Sequence, residues 1–292
     1  MAMPGATDNF NTGIVSGSGA LPFAVADSLV ARGRVPVVLG IRGFCDPERI
    51  TRYRHHWIAL GQLGRLTRLL RAERCRDVMF IGGLVRPALS EIRLDFGTLR
   101  VTPRIIAAFR GGDNHLLTGI GRIMEMHGFR MVGVKEVAPD LVMPEGVLTR
   151  TEPDDGAKTD IATGLDLLRA LSPFDVGQAV VVIDGNVVAV EDIEGTDALL
   201  ARVQRLRGEG RIRSRAGRGV LVKAPKTQQD VRYDLPTFGP RTVEGAAAAG
   251  LGGIAIVAGY TLMAEPEKVV AAADKAHLFL TGLAAKPAAP VA

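Results

Sequence analysis

The sequence is short of cysteines, aromatic residues and long apolar runs. Cys45 and Cys75 are the only cysteines among 292 residues, with no CxxC pair. A disulfide framework is therefore excluded and a reducing cytoplasm is expected. Aromatic residues make up 5%, too few for the stacking platforms of a single-strand nucleic-acid binder. The five histidines form no HExxH pair, and His55-His56 reads as surface in an Arg-rich stretch, so a catalytic zinc is not expected. No basic region followed by an apolar core opens the chain, which argues against a signal peptide. The most apolar run, LGGIAIVAGYTLMA (251–264), is too short and too Gly-rich to cross a bilayer. A soluble protein is expected.

What is present is a globular composition, 47% hydrophobic and 23% charged, long enough for two domains with real cores. The net charge of +5 and pI near 9.5 favour anionic partners. Seven arginines fall in RVQRLRGEGRIRSRAGR (202–218). These read as a solvated helix and loop or as a contact with an anionic membrane face. No recognition helix or RNA-binding signature accompanies them, so nucleic acid is not an expected partner.

The first half alternates strands and helices: TGIV, a helix in PFAVADSLVARG, VPVVLGI, a helix in GQLGRLTRLLRAERC, DVMFIGGLV, a helix in DNHLLTGIGRIMEMHG capped by Asp113, and the strand RMVGVKEV. This alternation predicts an α/β fold with a Rossmann-like parallel sheet over 13–138. A Pro-rich break over 139–158 reads as a linker. A second, mixed α/β domain is expected over 159–283. It holds a helix near 158–171, a hairpin turning at Asp184-Gly185-Asn186, a helix from Thr196, the strand GVLVK, a helix near TVEGAAAAG, the strand GIAIVAG and a last helix over 265–280. Residues 1–12 and 284–292 read as disordered tails.

Three stretches carry chemistry. SGSGALP (16–22) occupies the place of a first-strand phosphate loop, where Gly17 and Gly19 permit a tight turn and the next helix offers free N–H groups. Pro22 replaces the third glycine of GxGxxG, and Arg42 follows the second strand where NAD binders place an acid, which disfavours strict NAD binding. Gly82-Gly83 and Arg86 (GGLVRP) follow a neighbouring strand, and the two loops are expected to face each other across a ligand. AVEDIEGTD (189–197) puts Glu191, Asp192, Glu194 and Asp197 within seven positions. Crowded carboxylates repel unless a cation or a set of donors gathers them, although acids at a helix start are also common as caps. KAPKTQQDVRYDLPTFGP (223–240) mixes Lys223, Lys226, Asp230, Arg232 and Asp234, the residue types with which Mg²⁺ and phosphate are bound together.

In this order the motifs SGSGALP, GGLVRP, GGDNHLL, DVGQAVVV, AVEDIEGTD and KAPKTQQDVRYDLPTFGP resemble the UDP-2,3-diacylglucosamine pyrophosphatases unrelated to metallophosphoesterases, the LpxI family. The likeness runs from about Gly13 to Gly282, and one departure is Asn114, where a second acid is expected after Asp113. The resemblance implies a Mg²⁺-dependent cytoplasmic hydrolase of lipid A synthesis at the inner membrane surface. Its substrate, a lipid-linked nucleotide sugar, would bind between a Rossmann-like domain and a distinct C-terminal domain. Asp230 is then expected to be essential, through metal binding or water activation, and Lys223 to bind phosphate. Glu191, Glu194 and Asp197 are candidates to complete the metal site. Gly17, Ser18, Gly19, Leu21, Pro22, Gly82, Gly83, Gln178 and Thr196 would contact the substrate. Self-association is compatible with the sequence. The competing readings are an NADP-dependent oxidoreductase and a non-catalytic nucleotide-sugar or lipid-binding protein.

Overall fold

A computed structural model describes residues 10–84, 113–174, 176–225 and 235–284, with side chains left undescribed at 113–118. Two compact units divide the described chain between Pro139 and Asp140.

The first unit is built on a five-stranded sheet. Its strands are β1 (Asn11–Ser16), β2 (Pro36–Ile41), β3 (Arg54–Ile58), β4 (Cys75–Ile81) and β5 (Arg130–Met131), in the order β3-β2-β1-β4-β5. All four pairings are parallel. This is the Rossmann-like order, with its switch point between β1 and β4, where ligands of such sheets bind. Helices α1 (Leu21–Ala31), α2 (Leu63–Ala72) and α3 (Asp113–Met126) supply crossover elements. Val15, Val37, Leu39, Leu70, Val78 and Met124 meet in the core between sheet and helices.

Three expectations change in this unit. Asn11 and Thr12 belong to β1 and not to a tail, because Thr12 pairs with Pro36 and with Asp77. His55 and His56 lie on β3, a half-buried edge strand, where His56 Nε2 sits 2.6 Å from the buried Glu73 Oε1. RMVGVKEV yields only the two residues of β5, after which Val134–Val137 form a helical turn. The alternation there lacks a partner strand beyond Met131, and local helical hydrogen bonds take over.

The second unit has a six-stranded sheet formed by β6 (Gly146–Val147), β7 (Ala179–Ile183), β8 (Asn186–Val190), β9 (Val220–Lys223), β11 (Gly253–Val257) and β13 (Phe279–Leu283). Their order is β6-β13-β11-β9-β7-β8, beside a small pair made by β10 (Thr237–Phe238) and β12 (Leu262–Met263). Strands β9, β11 and β13 run parallel, while β7 is antiparallel to both neighbours. The helices are α4 (Asp155–Leu171), α5 (Gly195–Gly208), α6 (Pro240–Ala248) and α7 (Pro266–Lys275).

The two-residue period of the strands sorts their side chains into two cores. Val181, Leu221, Ile254 and Ile256 pack with Leu199, Leu200 and Val203 of α5 and with Val243 and Val269. Val180, Val182, Val220, Val222 and Ala255 face the other way, with Ile161 and Leu168 of α4. Lys223 shares the parity of Leu221 and so belongs to the α5 side.

The expected hairpin is present. Asp184 (φ 49°) and Gly185 (φ 78°) both take left-handed backbone, as a type I′ turn requires. The buried Asp160 of α4 fixes it by accepting from Gly185 N at 2.6 Å and Asp184 N at 3.2 Å. Residues 140–158 are not a free linker: Gly146-Val147 pair with β13, and Asp154 caps α4 through Ala157 N. The last helix stops at Lys275 instead of 280, because His277 turns at φ 56° and Phe279–Leu283 becomes β13, paired along β11. Among the described residues, no helix is long and apolar enough to cross a membrane.

Candidate active site

At the switch point of the first unit, the loops after β1 and β4 touch directly instead of facing each other across a ligand. Ser18 N donates to Gly83 O at 2.9 Å, and Gly83 N to Ser18 O at 3.0 Å. The Ser18 hydroxyl adds a bond to Gly83 O at 3.0 Å. Glycine is what allows this approach. A β-carbon at Gly17 would lie 2.5 Å from Gly83 O, and one at Gly82, where φ is +100°, would lie 2.7 Å from Ser18 O. The close approach that a dinucleotide fold reserves for a pyrophosphate is here used by the neighbouring loop. Gly19, at φ +97°, turns the chain into α1, which opens with Leu21 and Pro22 and has no side-chain cap. Gly17, Ser18, Gly19, Leu21, Pro22, Gly82 and Gly83 are thus brought together, while Arg86 lies outside the described residues.

Gly82→Ala is expected to force this crossing apart. A left-handed φ and a backbone clash together cost about 2–4 kcal/mol. A fall of several degrees in the thermal midpoint, larger than that of Gly33→Ala, which carries the left-handed φ (+71°) without the clash, checks it.

In the second unit, polar side chains gather at the edge of the sheet where the parallel strands end. Lys223 closes β9 and is 5% exposed. Its Nζ donates to the Thr196 hydroxyl at 2.6 Å, and that hydroxyl donates to Glu191 Oε1 at 2.5 Å. Lys223 Nζ itself stands 3.9 Å from Glu191 Oε1. The other carboxylate oxygen, Oε2, accepts from Gln178 N at 2.7 Å. Strand register makes this meeting: Lys223 pairs with Ala179, and Glu191 N donates to Ala179 O at 2.9 Å. Thr196 enters from the first turn of α5, which begins at Gly195, one residue before the expected start. Gly177 leaves room for Glu191, since a β-carbon there would lie 2.3 Å from Glu191 O. Burial pushes the Lys223 ammonium below the ordinary lysine range, while the carboxylates of Glu191 and then Asp197 hold it up.

The other acids of the cluster find separate partners. Glu194 pairs with Arg202 at 2.6 Å, Asp197 with Arg241 at 3.0 Å, and Asp192 accepts from Glu194 N at 2.8 Å. Each carboxylate oxygen of Glu191 accepts one hydrogen bond. Among the described residues no three His, Cys, Asp or Glu side chains are placed to hold a metal ion. Glu191, Glu194 and Asp197 thus each stand in a separate set of hydrogen bonds and ion pairs. Asp230, with Lys226, Arg232 and Asp234, lies outside the described residues.

Sequence reasoning named Glu191, Thr196 and Lys223 but not their connection, nor the arginine partners of Glu194 and Asp197. The available signal was the shared strand parity of Leu221 and Lys223, which turns the lysine toward α5.

The arginine-rich segment divides in two. Arg205 pairs with Glu209, Arg207 donates to the carbonyls of Ser214, Ala249 and Gly250, and Arg218 bridges Asp154 and Asp184. Arg211, Arg213 and Arg215 are exposed.

Residues 11–141 match the sequence family described as the LpxI N-terminal domain, and residues 144–281 the LpxI C-terminal domain. The chain is 41% identical over 271 residues to the UDP-2,3-diacylglucosamine pyrophosphatase LpxI of Caulobacter vibrioides, covering 93% of this chain and 96% of that protein. Two matched domains in order and a relative aligned nearly end to end give one conclusion: the chain belongs to the LpxI family.

Proposed function

We propose that this protein hydrolyses the diphosphate of UDP-2,3-diacylglucosamine, releasing UMP and 2,3-diacylglucosamine 1-phosphate, in lipid A synthesis. The observation that carries the reading is the 41% identity across 93% of the chain to a pyrophosphatase of that name. The structure supports it with a buried, positioned ammonium at the carboxyl edge of a sheet, the kind of donor a diphosphate needs. Hydrolysis forms one bond from water oxygen to phosphorus and breaks that phosphorus from the bridging oxygen. Charge grows on the phosphate oxygens as this happens, and a fixed cation is worth most there. In this reading Lys223 binds a substrate phosphate, and Thr196 holds the lysine.

Mg²⁺ or a similar divalent ion belongs to the proposal as the companion of the diphosphate. Asp230 is the carboxylate assigned to the ion or to the attacking water. The glycine crossing at residues 17–19 and 82–83 is assigned to nucleotide or sugar. Because the substrate carries two acyl chains, contact with the cytoplasmic face of the inner membrane completes the reading, with Arg211, Arg213 and Arg215 as the exposed cations for anionic lipid. The filled approach at Gly17 weighs against an NADP-dependent oxidoreductase.

UMP release from UDP-2,3-diacylglucosamine presented in anionic vesicles tests this. Release is expected with Mg²⁺, and its loss with EDTA. Raised salt is expected to slow it by weakening attraction to the vesicle surface. No release from folded protein with any divalent ion rejects the activity, and undiminished release in EDTA rejects the ion.

A further inference from the structure

Glu191 was expected among the metal ligands, and its surroundings describe a different task. An ammonium can only donate hydrogen bonds and a carboxylate can only accept them. A hydroxyl between the two has one arrangement available: it accepts from Lys223 and donates to Glu191. The distances of 2.6 and 2.5 Å fit that arrangement. Glu191 is held from behind as well, with Oε2 on Gln178 N at 2.7 Å and its carbonyl accepting from Gly177 N at 3.1 Å. Glu191 and Lys223 are 7% and 5% exposed. A buried ammonium without a counter-charge is costly, and Glu191, 3.9 Å away, is the nearest carboxylate to it among the described ion pairs. A cation that drew the Glu191 carboxylate away from Thr196 would cost Lys223 both its anchor and its charge balance.

We propose that Glu191 and Thr196 are positioning residues, which hold the Lys223 ammonium in place for the substrate diphosphate, and that Glu191 is not a ligand of the divalent ion. The assignment rests on the function proposed above. It adds a role that the cluster of acids by itself does not suggest: one acid serves the lysine, and the ion is left to other oxygens.

The experiment compares Thr196→Val, Thr196→Ser and Glu191→Gln with the parent protein. Four quantities are read: kcat, KM, the Mg²⁺ concentration giving half-maximal rate, and the affinity for UDP by calorimetry in EDTA. Thr196→Val keeps shape and removes the hydroxyl. It is expected to lower kcat and UDP affinity by about 10- to 100-fold, the cost of a mispositioned group. Thr196→Ser restores the hydroxyl and is expected to recover most of that loss, which a purely structural role would not predict for a smaller side chain. Glu191→Gln is expected to resemble Thr196→Val, with the half-saturating Mg²⁺ concentration unchanged.

A Glu191→Gln protein whose Mg²⁺ requirement rises tenfold and whose rate returns with added Mg²⁺ overturns the proposal in favour of a metal ligand. Thr196→Val at parental rate and affinity, or Thr196→Ser no better than Thr196→Val, overturns it too. If the parent binds UDP without releasing UMP, the proposed function fails, while the UDP affinities still decide the positioning role. A parent that does neither overturns both.

Discussion

Lys223→Met is expected to lower UMP release by about 10²- to 10³-fold, the usual loss when one preorganised electrostatic donor is removed. Methionine fills a similar length without charge, so the substitution isolates the ammonium. Folding is expected to persist at reduced stability, because the buried Glu191 loses its counter-charge. Glu191 keeps the Thr196 hydroxyl and the Gln178 amide as donors, and the desolvation cost of the buried ammonium disappears with it. Lys223→Arg is not expected to restore activity, because a planar guanidinium does not fit a site shaped around a 5% exposed ammonium and one hydroxyl.

The same residue sets a pH dependence. Burial lowers the Lys223 pKa, and Glu191 and then Asp197 oppose that. As pH rises through this lowered value, the ammonium loses its proton and the phosphate loses its cation. Activity is therefore expected to fall on the alkaline side at a pH below the ordinary lysine range. Glu191→Gln removes the largest opposing charge and should move that limb to lower pH. Rate profiles from pH 6 to 10, with circular dichroism and cooperative unfolding as folding controls, check both statements. A folded Lys223→Met protein at the parental rate would remove Lys223 from the phosphate site.

Asp230→Asn is expected to cost more, on the order of 10³-fold or beyond, within the range seen for lost general bases and lost charge stabilisation. Asparagine has nearly the same shape but neither the negative charge nor the basicity. The divalent ion separates the two roles proposed for this carboxylate. If Asp230 holds the ion, the Asn variant needs far more Mg²⁺ and regains part of its rate when given it. If Asp230 accepts the proton of the attacking water, no Mg²⁺ concentration restores the rate. Asp230→Ala tests the same assignment without the amide. A parental rate in either variant sinks it. Hydrolysis in ¹⁸O-labelled water, with the label located in UMP or in the lipid phosphate, identifies the phosphorus attacked.

Much of the fold was legible in the chain itself. The alternation of buried strands and helices predicted the parallel sheet of the first unit. Asp184-Gly185-Asn186 announced its hairpin because a type I′ turn demands left-handed residues at two adjacent positions, a requirement that local sequence meets or fails alone. Errors fell where the deciding partner was remote. RHHWI looks polar, and only the free edge of β2 makes it a strand. FLTGL continues a helical stretch, and only the vacant side of β11 recruits it into the sheet.

The acids at 191–197 divide along the same line. That four carboxylates stand together beside an apolar strand is a property of the sequence, and so is their need for positive partners. Which partner each one meets is a property of the tertiary structure. Lys223 reaches Glu191 because β9 pairs with β7 so that Lys223 stands opposite Ala179, and Glu191 donates its N–H to that same residue. A one-residue slip in that register would turn the lysine to the opposite face, away from Thr196. Charge and turn chemistry are local and can be read along the chain. The pairing of charges across a sheet depends on register, which is fixed only when both cores close.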